Sequence, residues 1–169
     1  MDFYVLTLRI IHILGGAFWA GSAFLLTGWI APTAGQLRPE GPKFMQRLIL
    51  GTRYTTAISL AAGLAIVSGL LLYWRASGGL QTEWMSTGAG VMFTIGGLAA
   101  IGAGVFGGLI AGNGKKLAEL GSSLQGPPSP EQAVELGHLQ SRGANLGAAN
   151  AVLLVITIIA MASAQYVFF

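Results

Sequence analysis

The sequence predicts an all-α protein in which four helices cross a membrane, with both termini on the outer side. Its composition favours this class, because 9% of the residues are charged and 53% are hydrophobic. A water-soluble domain carries about 25% charged residues, so this chain has too few to cover a surface that faces water. Four apolar segments reach the roughly 20 residues that a spanning helix needs. They lie at about 4–30, 54–74, 87–111 and 146–168.

The basic residues predict how these spans are oriented. The 169 residues allow one transmembrane domain and no separate soluble domain, with two longer connections at 31–53 and 112–145. By the positive-inside rule these connections are cytoplasmic, since the opposite side has only Arg75, with Arg9 inside the first span. We therefore expect a multi-pass protein of a bacterial-type cell (inner) membrane. The basic residues of the two connections are Arg38, Lys43, Arg47, Arg53, Lys115, Lys116 and Arg142.

The first span and the connection after it have distinct local signals. Asp2 stands where a signal peptide would be basic, and the span exceeds a 7–15-residue signal core, so we expect the span to be retained. In the following connection, the segment Pro42–Leu50 alternates apolar with polar residues in a way that predicts a short interfacial helix. Breaks in the chain are expected at Pro32, Pro39 and Pro42.

The third span is expected to continue as a helix through Lys115–Leu120 and to break at Gly121 and at Gly126-Pro127-Pro128. A new helix is predicted to begin at Ser129, because serine as N-cap, proline at the first helical position and Gln132 at the third form a start signal. This helix is expected to run on into the fourth span.

Glycines recur every four residues in the third span, at Gly104, Gly108 and Gly112. Small residues at this spacing let the backbones of membrane helices approach closely. The pattern predicts helix packing, within the bundle or against a second copy or a larger membrane complex. A groove for a flat cofactor or a lipid is the alternative.

Several kinds of chemistry are disfavoured by the residues that are missing. The chain has no cysteine, which excludes disulfides, thiolate metal sites and iron–sulfur clusters. The predicted spans contain no Asp, Glu or Lys, so an ion-coupled carrier lacks its usual intramembrane carboxylates. No phosphate loop, HExxH or nucleophile elbow is present, and no basic stripe suggests nucleic acid. We predict no catalytic residue, and enzymatic activity is not expected.

One face of the first helix carries the polar residues that stand out. Arg9, His12, Gly16 and Trp19 follow one another at steps of three or four, so they share a face. Ionisable residues inside a span are costly and usually serve a function. We predict a cofactor site here, with His12 as ligand, Arg9 facing a haem propionate or another anion, Gly16 leaving room for a flat ring and Trp19 lining the cavity. The structural alternative is that His12 bonds a neighbouring helix, Arg9 snorkels and Trp19 packs in the core.

Two methionines are candidate partners of His12. Counted from the outer ends of their spans, Met92 and Met161 reach a similar depth to His12. Histidine with thioether ligands suits Cu(I), and a histidine–methionine pair also suits haem iron. The predicted metal ligands are therefore His12, Met92 and Met161, although methionine is also an ordinary filler of apolar interiors. His138 lies on the cytoplasmic side, most of a membrane thickness away, and is expected at the surface beside Glu135 and Arg142.

The segment Ile11–Gly21, with its His12 and Trp19, resembles the opening helix of copper-resistance protein D-like membrane proteins, and Ser68–Tyr73 resembles their second helix. This resemblance implies periplasm-side copper handling, with His12 as the one ligand that carries over. The layout is also similar to four-helix b-type cytochromes, which use several intramembrane histidines.

Three functions follow as hypotheses. The first is binding of copper or haem b at His12, in electron transfer or metal homeostasis. The second is a non-catalytic accessory subunit of a larger membrane complex. A small-solute carrier is the third, and the lack of intramembrane carboxylates makes it the weakest.

Overall fold

The computed structural model describes residues 2–37, 40–124 and 126–168, and these residues form helices and no strand. Four of the helices are long and apolar enough to span a membrane, which confirms the all-α prediction and makes the chain a multi-pass membrane protein. The helices are α1 (Phe3–Gln36), α2 (Glu40–Leu50), α3 (Tyr54–Ala76), α4 (Thr82–Met85), α5 (Gly88–Ser123) and α6 (Pro130–Ser163), which ends in a 3-10 turn at Ala164–Tyr166.

The four long helices form an antiparallel ring. Within the described residues, α1 packs on α3, α3 on α5, α5 on α6 and α6 on α1, while the backbones of the diagonal pairs do not approach each other closely. Both termini therefore lie at one end, where Arg75 Nη2 is 3.3 Å from Asp2 Oδ2. We call this the termini end. The other end, which carries α2 and the connection from α5 to α6, is the basic end.

Helix α1 is longer than its predicted span, and the break expected at Pro32 is wrong. The helix passes through a π-helical turn at Leu26–Ile30 and continues to Gln36. In that turn the N–H of Ala31 bonds the carbonyl of Leu26, five residues earlier. A proline clashes with the carbonyl four residues before it, and a turn widened by one residue makes room for the ring. Pro39, also expected to break the chain, lies outside the described residues.

The predictions around the last two long helices have mixed outcomes. The break at Gly121 is wrong, because α5 runs on to Ser123. A helical glycine costs about 1 kcal/mol, which packing can outweigh; Ala118 is buried here, and its carbonyl accepts a bond from Gln46 of α2. The start of α6 is confirmed: Ser129 and Gln132 bond each other's backbone N–H groups as a capping box. The helix predicted at Pro42–Leu50 is confirmed as α2, which begins two residues earlier at Glu40.

The core lies where all four long helices meet. Trp19 of α1 is 4% exposed and Leu154 of α6 is 2% exposed, and both pack against buried alanines of α3 and α5. The alanines are small, so the indole ring and the leucine fill the space between the backbones. Most other large apolar side chains are exposed, as expected for helices that face lipid. The alanines are Ala61, Ala65 and Ala103.

Two buried asparagines lie between the helices toward the basic end. Asn113 Nδ2 donates to the carbonyl of Leu139 at 2.9 Å. Asn150 is 3% exposed, and among the described residues the Oδ1 atoms of Asn113 and Asn150 both lack a partner. A buried acceptor without a donor costs about 1–3 kcal/mol.

Replacing Asn150 with leucine, which has the same branched shape, is therefore expected to stabilise the bundle by about 1 kcal/mol. Asn113→Leu is the matched control and should be less stable than Asn150→Leu by about 0.6–2 kcal/mol, because it removes the same kind of unpaired acceptor together with a bond that is made. Thermal unfolding of the two variants in one detergent measures both effects. A loss of stability in Asn150→Leu would show that Asn150 binds a group, such as a buried water, and that this bond offsets the free-energy cost of burying the amide.

Candidate functional site

His12 is fixed against α3 by a hydrogen bond across the helix pair. Its Nδ1 lies 2.7 Å from the carbonyl oxygen of Ala65. A carbonyl oxygen can only accept, so Nδ1 must carry the proton. In the neutral imidazole, Nε2 then carries no proton and keeps its lone pair. The hydrogen bond to the backbone of Ala65 therefore determines which tautomer is present.

The imidazole ring rests in a space that Gly69 leaves open. A Cβ at Gly69 would lie 2.8 Å from Cε1 of His12 and 3.0 Å from Nδ1, closer than real contacts allow. Ala65 and Gly69 are one turn apart, so α3 presents two small residues to this part of α1. Helix α3 therefore forms the site that holds the imidazole ring, and a side chain at position 69 would displace the ring.

The two sides of the His12 face differ in how closely they are packed. A Cβ at Gly15 would lie 3.0 Å from the carbonyl oxygen of Ala61, whereas nothing lies within 4 Å of a Cβ at Gly16. With about 100° per residue, Arg9 and Gly16 lie on the same side of His12, and Gly15 lies on the other. Arg9 is exposed. The histidine is thus packed on the Gly15 side and has open space on the side of Gly16 and Arg9.

Trp19 shares the helix face with His12 but belongs to the core described above. It is the large side chain at the meeting point of the four helices, and it contacts other apolar residues there. This placement favours the packing role of Trp19 over the lining of a cofactor cavity.

The methionines lie at a different interface from His12. Met161 of α6 packs against α5, where its Cγ is 3.0 Å from the position of a Cβ at Gly96, and Met92 is one turn from Gly96. Within the described residues the backbones of α5 and α1 do not approach each other closely. The structure therefore places Met161 at the interface of α5 and α6 and His12 at the interface of α1 and α3.

The register between α3 and α5 also bears on depth. Tyr73 lies one turn beyond Gly69 toward the termini end, and its hydroxyl is 2.6 Å from the hydroxyl of Thr94. Met92 is therefore beyond this level, roughly 10 Å nearer the termini end than His12 at 1.5 Å per residue. Counting residues along separate spans predicts a similar depth for Met92 and His12. Such a count contains no information on how neighbouring helices are staggered.

The role of α3 in holding His12 was not predicted from the sequence, although a signal for it exists. Ala61, Ala65 and Gly69 recur every four residues, the same small-residue spacing that was read in the third span. These residues are the ones that approach Gly15 and His12. The pattern predicts a close helix contact on this face, but it does not identify His12 as the residue received there.

The glycine series of the third span divides in two. Gly104 approaches α3, since a Cβ there would lie 2.9 Å from Cδ1 of Ile66. Gly108 and Gly112 are exposed, and nothing lies within 4 Å of a Cβ at either position. The first glycine thus packs inside the bundle, and the other two lie on its outer surface. His138, Glu135 and Arg142 are exposed on α6, in agreement with the surface position expected for His138.

The described residues contain no group of three or more His, Cys, Asp or Glu side chains that could hold a metal ion, so His12 is a single candidate ligand of that kind. Fold and burial together define a four-helix multi-pass membrane protein with one fixed intramembrane histidine. Comparison of the chain with protein-family models, with characterised proteins and with solved structures gives no match.

Proposed function

We propose that this protein binds copper or haem b in the membrane through Nε2 of His12, and that it acts in electron transfer or metal homeostasis. The hydrogen bond from Nδ1 of His12 to Ala65 is the observation that supports the proposal most strongly. Metal-bound histidines almost always donate their other N–H to a carbonyl or a carboxylate, which fixes the ring and makes the free nitrogen more basic.

The surroundings of His12 suit such a group. The open space at Gly16 is on the side where a ring or an ion can approach the histidine, and Arg9 lies one turn nearer the termini end. A guanidinium there would pair with a propionate or another anion. When bound, haem or copper would supply one-electron chemistry. A further ligand is proposed from Met161 or from His12 of a second copy, because Met92 lies roughly 10 Å from the depth of His12.

The test separates a ligand from a structural bond by using two substitutions. His12→Asn places an amide N–H near the position of Nδ1 and keeps the bond to Ala65, but it has no counterpart of Nε2. His12→Ala removes both. We expect the purified protein to show a Soret band or bound copper, at least about ten-fold reduced in both variants, because one ligand is lost. Absorption spectra with metal analysis measure this.

Stability provides the control. His12→Asn should unfold near the wild-type temperature, whereas His12→Ala should be less stable by about 0.6–2 kcal/mol. A colourless and metal-free wild-type protein, or a cofactor that survives in His12→Asn, would overturn the proposal. Loss of the cofactor in Met161→Leu but not in Met92→Leu would assign the second ligand.

A second candidate function is an accessory subunit of a larger membrane complex. The observation in its favour is the exposed pair Gly108 and Gly112, which leaves α5 with a small-residue surface open to another helix. Gly108→Leu should then abolish co-purification with partner chains and leave the isolated bundle intact. A stable lone monomer in mild detergent, for wild type and variant alike, would contradict this candidate.

We also propose a bacterial-type inner membrane, with the basic end in the cytoplasm.

A further inference from the structure

We infer that the groove between α5 and α6 at the basic end binds the headgroup of an anionic phospholipid. The groove has a volume of about 400 Å³ and is separate from the His12 site. Polar side chains of α6 line one part of it, and one aromatic and one aliphatic side chain line the other. Its residues are Phe106, His138, Ser141, Arg142, Asn145 and Leu146.

The depth of these residues matches the profile of a lipid. Helix α6 with its terminal turn ends at Tyr166. The hydrocarbon core is about 30 Å thick, and 20 residues at 1.5 Å each reach back from Tyr166 to Leu146. With Tyr166 taken as the outer edge of the hydrocarbon, Leu146 is at its inner edge, and Arg142 is one turn beyond it, at headgroup level. Phe106 of α5 faces the same groove from the apolar side.

The chemistry of the polar part suits a phosphate ester. Arg142 offers a planar set of donors that matches phosphate oxygens, and Ser141 and Asn145 add a hydroxyl and an amide. No carboxylate lines the groove among the described residues, so no acidic side chain there competes for the guanidinium. Basic pockets between membrane helices on the cytoplasmic side are typical sites for acidic lipid headgroups.

The apolar part distinguishes a lipid from a free anion. Phe106 and Leu146 are half-buried and continue the groove toward the membrane interior. A soluble phosphate would contact only the polar side chains and would leave the apolar surface of Phe106 and Leu146 uncovered. An acyl chain would cover it, which gains about 25 cal/mol for each Å² of apolar surface removed from water.

The experiment is native mass spectrometry of the full-length protein in detergent with added phosphatidylglycerol or phosphatidylcholine. The wild type should retain phosphatidylglycerol in preference to phosphatidylcholine. Arg142→Gln should reduce that preference about five-fold, the loss expected for one basic side chain near an anionic headgroup. Lys116→Gln is the matched control, because it removes the same charge at the same end of the bundle without lining the groove.

A second variant keeps the test independent of charge. Ser141 is exposed, so Ser141→Phe should fold normally while its ring fills the groove, and it should reduce retention with Arg142 in place. Equal retention of the two lipids, an equal loss in Lys116→Gln, or displacement of the lipid by an equal concentration of inorganic phosphate would overturn the inference. These outcomes do not depend on whether His12 binds a cofactor.

Discussion

Trp19→Ala is expected to lower the free energy of unfolding by about 3–5 kcal/mol, the usual cost of truncating a large aromatic side chain in a packed core. Trp19 fills the point where the four long helices meet, and it shares a buried cluster with alanines, whose side chains are too short to fill the space it would leave. The variant would leave a cavity lined by Ala61, Ala65 and Leu154. Because these residues are on different helices, the cavity would loosen all of them together.

Phe18→Ala provides the matched control for this prediction. Phe18 is the neighbour of Trp19 in sequence, but it is 50% exposed on the outer surface of α1. In detergent its side chain exchanges one apolar environment for another, so the loss should stay below about 1 kcal/mol. Unfolding in mixed micelles, followed by circular dichroism, measures the two variants side by side. Equal stability of both would show that Trp19 does not fill the core.

Trp19→Ala also separates packing from cofactor binding. If Trp19 only packs, the remaining folded protein should keep the spectrum and the metal content of the wild type at low temperature. If it lines the proposed site, the spectrum should change in the folded protein, before any unfolding. The core position of the ring favours the first result.

The number and order of the membrane helices could be predicted from the sequence because length and apolarity determine them. Four runs near 20 residues with few charges leave little choice of architecture. The ends of the helices were predicted less well. Helices α1 and α5 run beyond their apolar segments to Gln36 and Ser123, where the residues are polar. Apolarity marks the part of a helix that lies in lipid, and it does not mark where the helix ends.

The candidate site was predictable only as one face of one helix. The helical spacing of the polar residues between Arg9 and Trp19 identified the face. The residues that this face contacts depend on how the neighbouring helices are staggered. Stagger results from which small residues let two backbones approach, as Gly15 does at Ala61. A hydrogen bond from His12 to a backbone carbonyl cannot be predicted from the sequence, since every residue has a carbonyl. The pairing with Met92 relied on depth alone and lacked this information.

Gly15→Leu and Gly16→Leu are expected to have opposite effects, although the two positions are adjacent. A Cβ at Gly15 would lie 3.0 Å from the backbone oxygen of Ala61 and 3.4 Å from the nitrogen of Ala65, so a leucine must push α1 away from α3. Overpacking of this kind costs about 1–3 kcal/mol, and separation of the helices would also break the bond between His12 and Ala65. At Gly16 nothing lies within 4 Å, so the leucine has space.

Both variants gain the same helix propensity, about 1 kcal/mol, so the difference between their unfolding free energies isolates the helix contact. We expect Gly15→Leu to be less stable than Gly16→Leu by at least about 2 kcal/mol. Equal stability would mean that α1 and α3 are not in close contact at Gly15. Cofactor binding provides a second measurement on the same pair of variants. If the group enters on the open side of His12, Gly16→Leu should bind less copper or haem while it is at least as stable as the wild type. A normal spectrum in Gly16→Leu would place the group elsewhere.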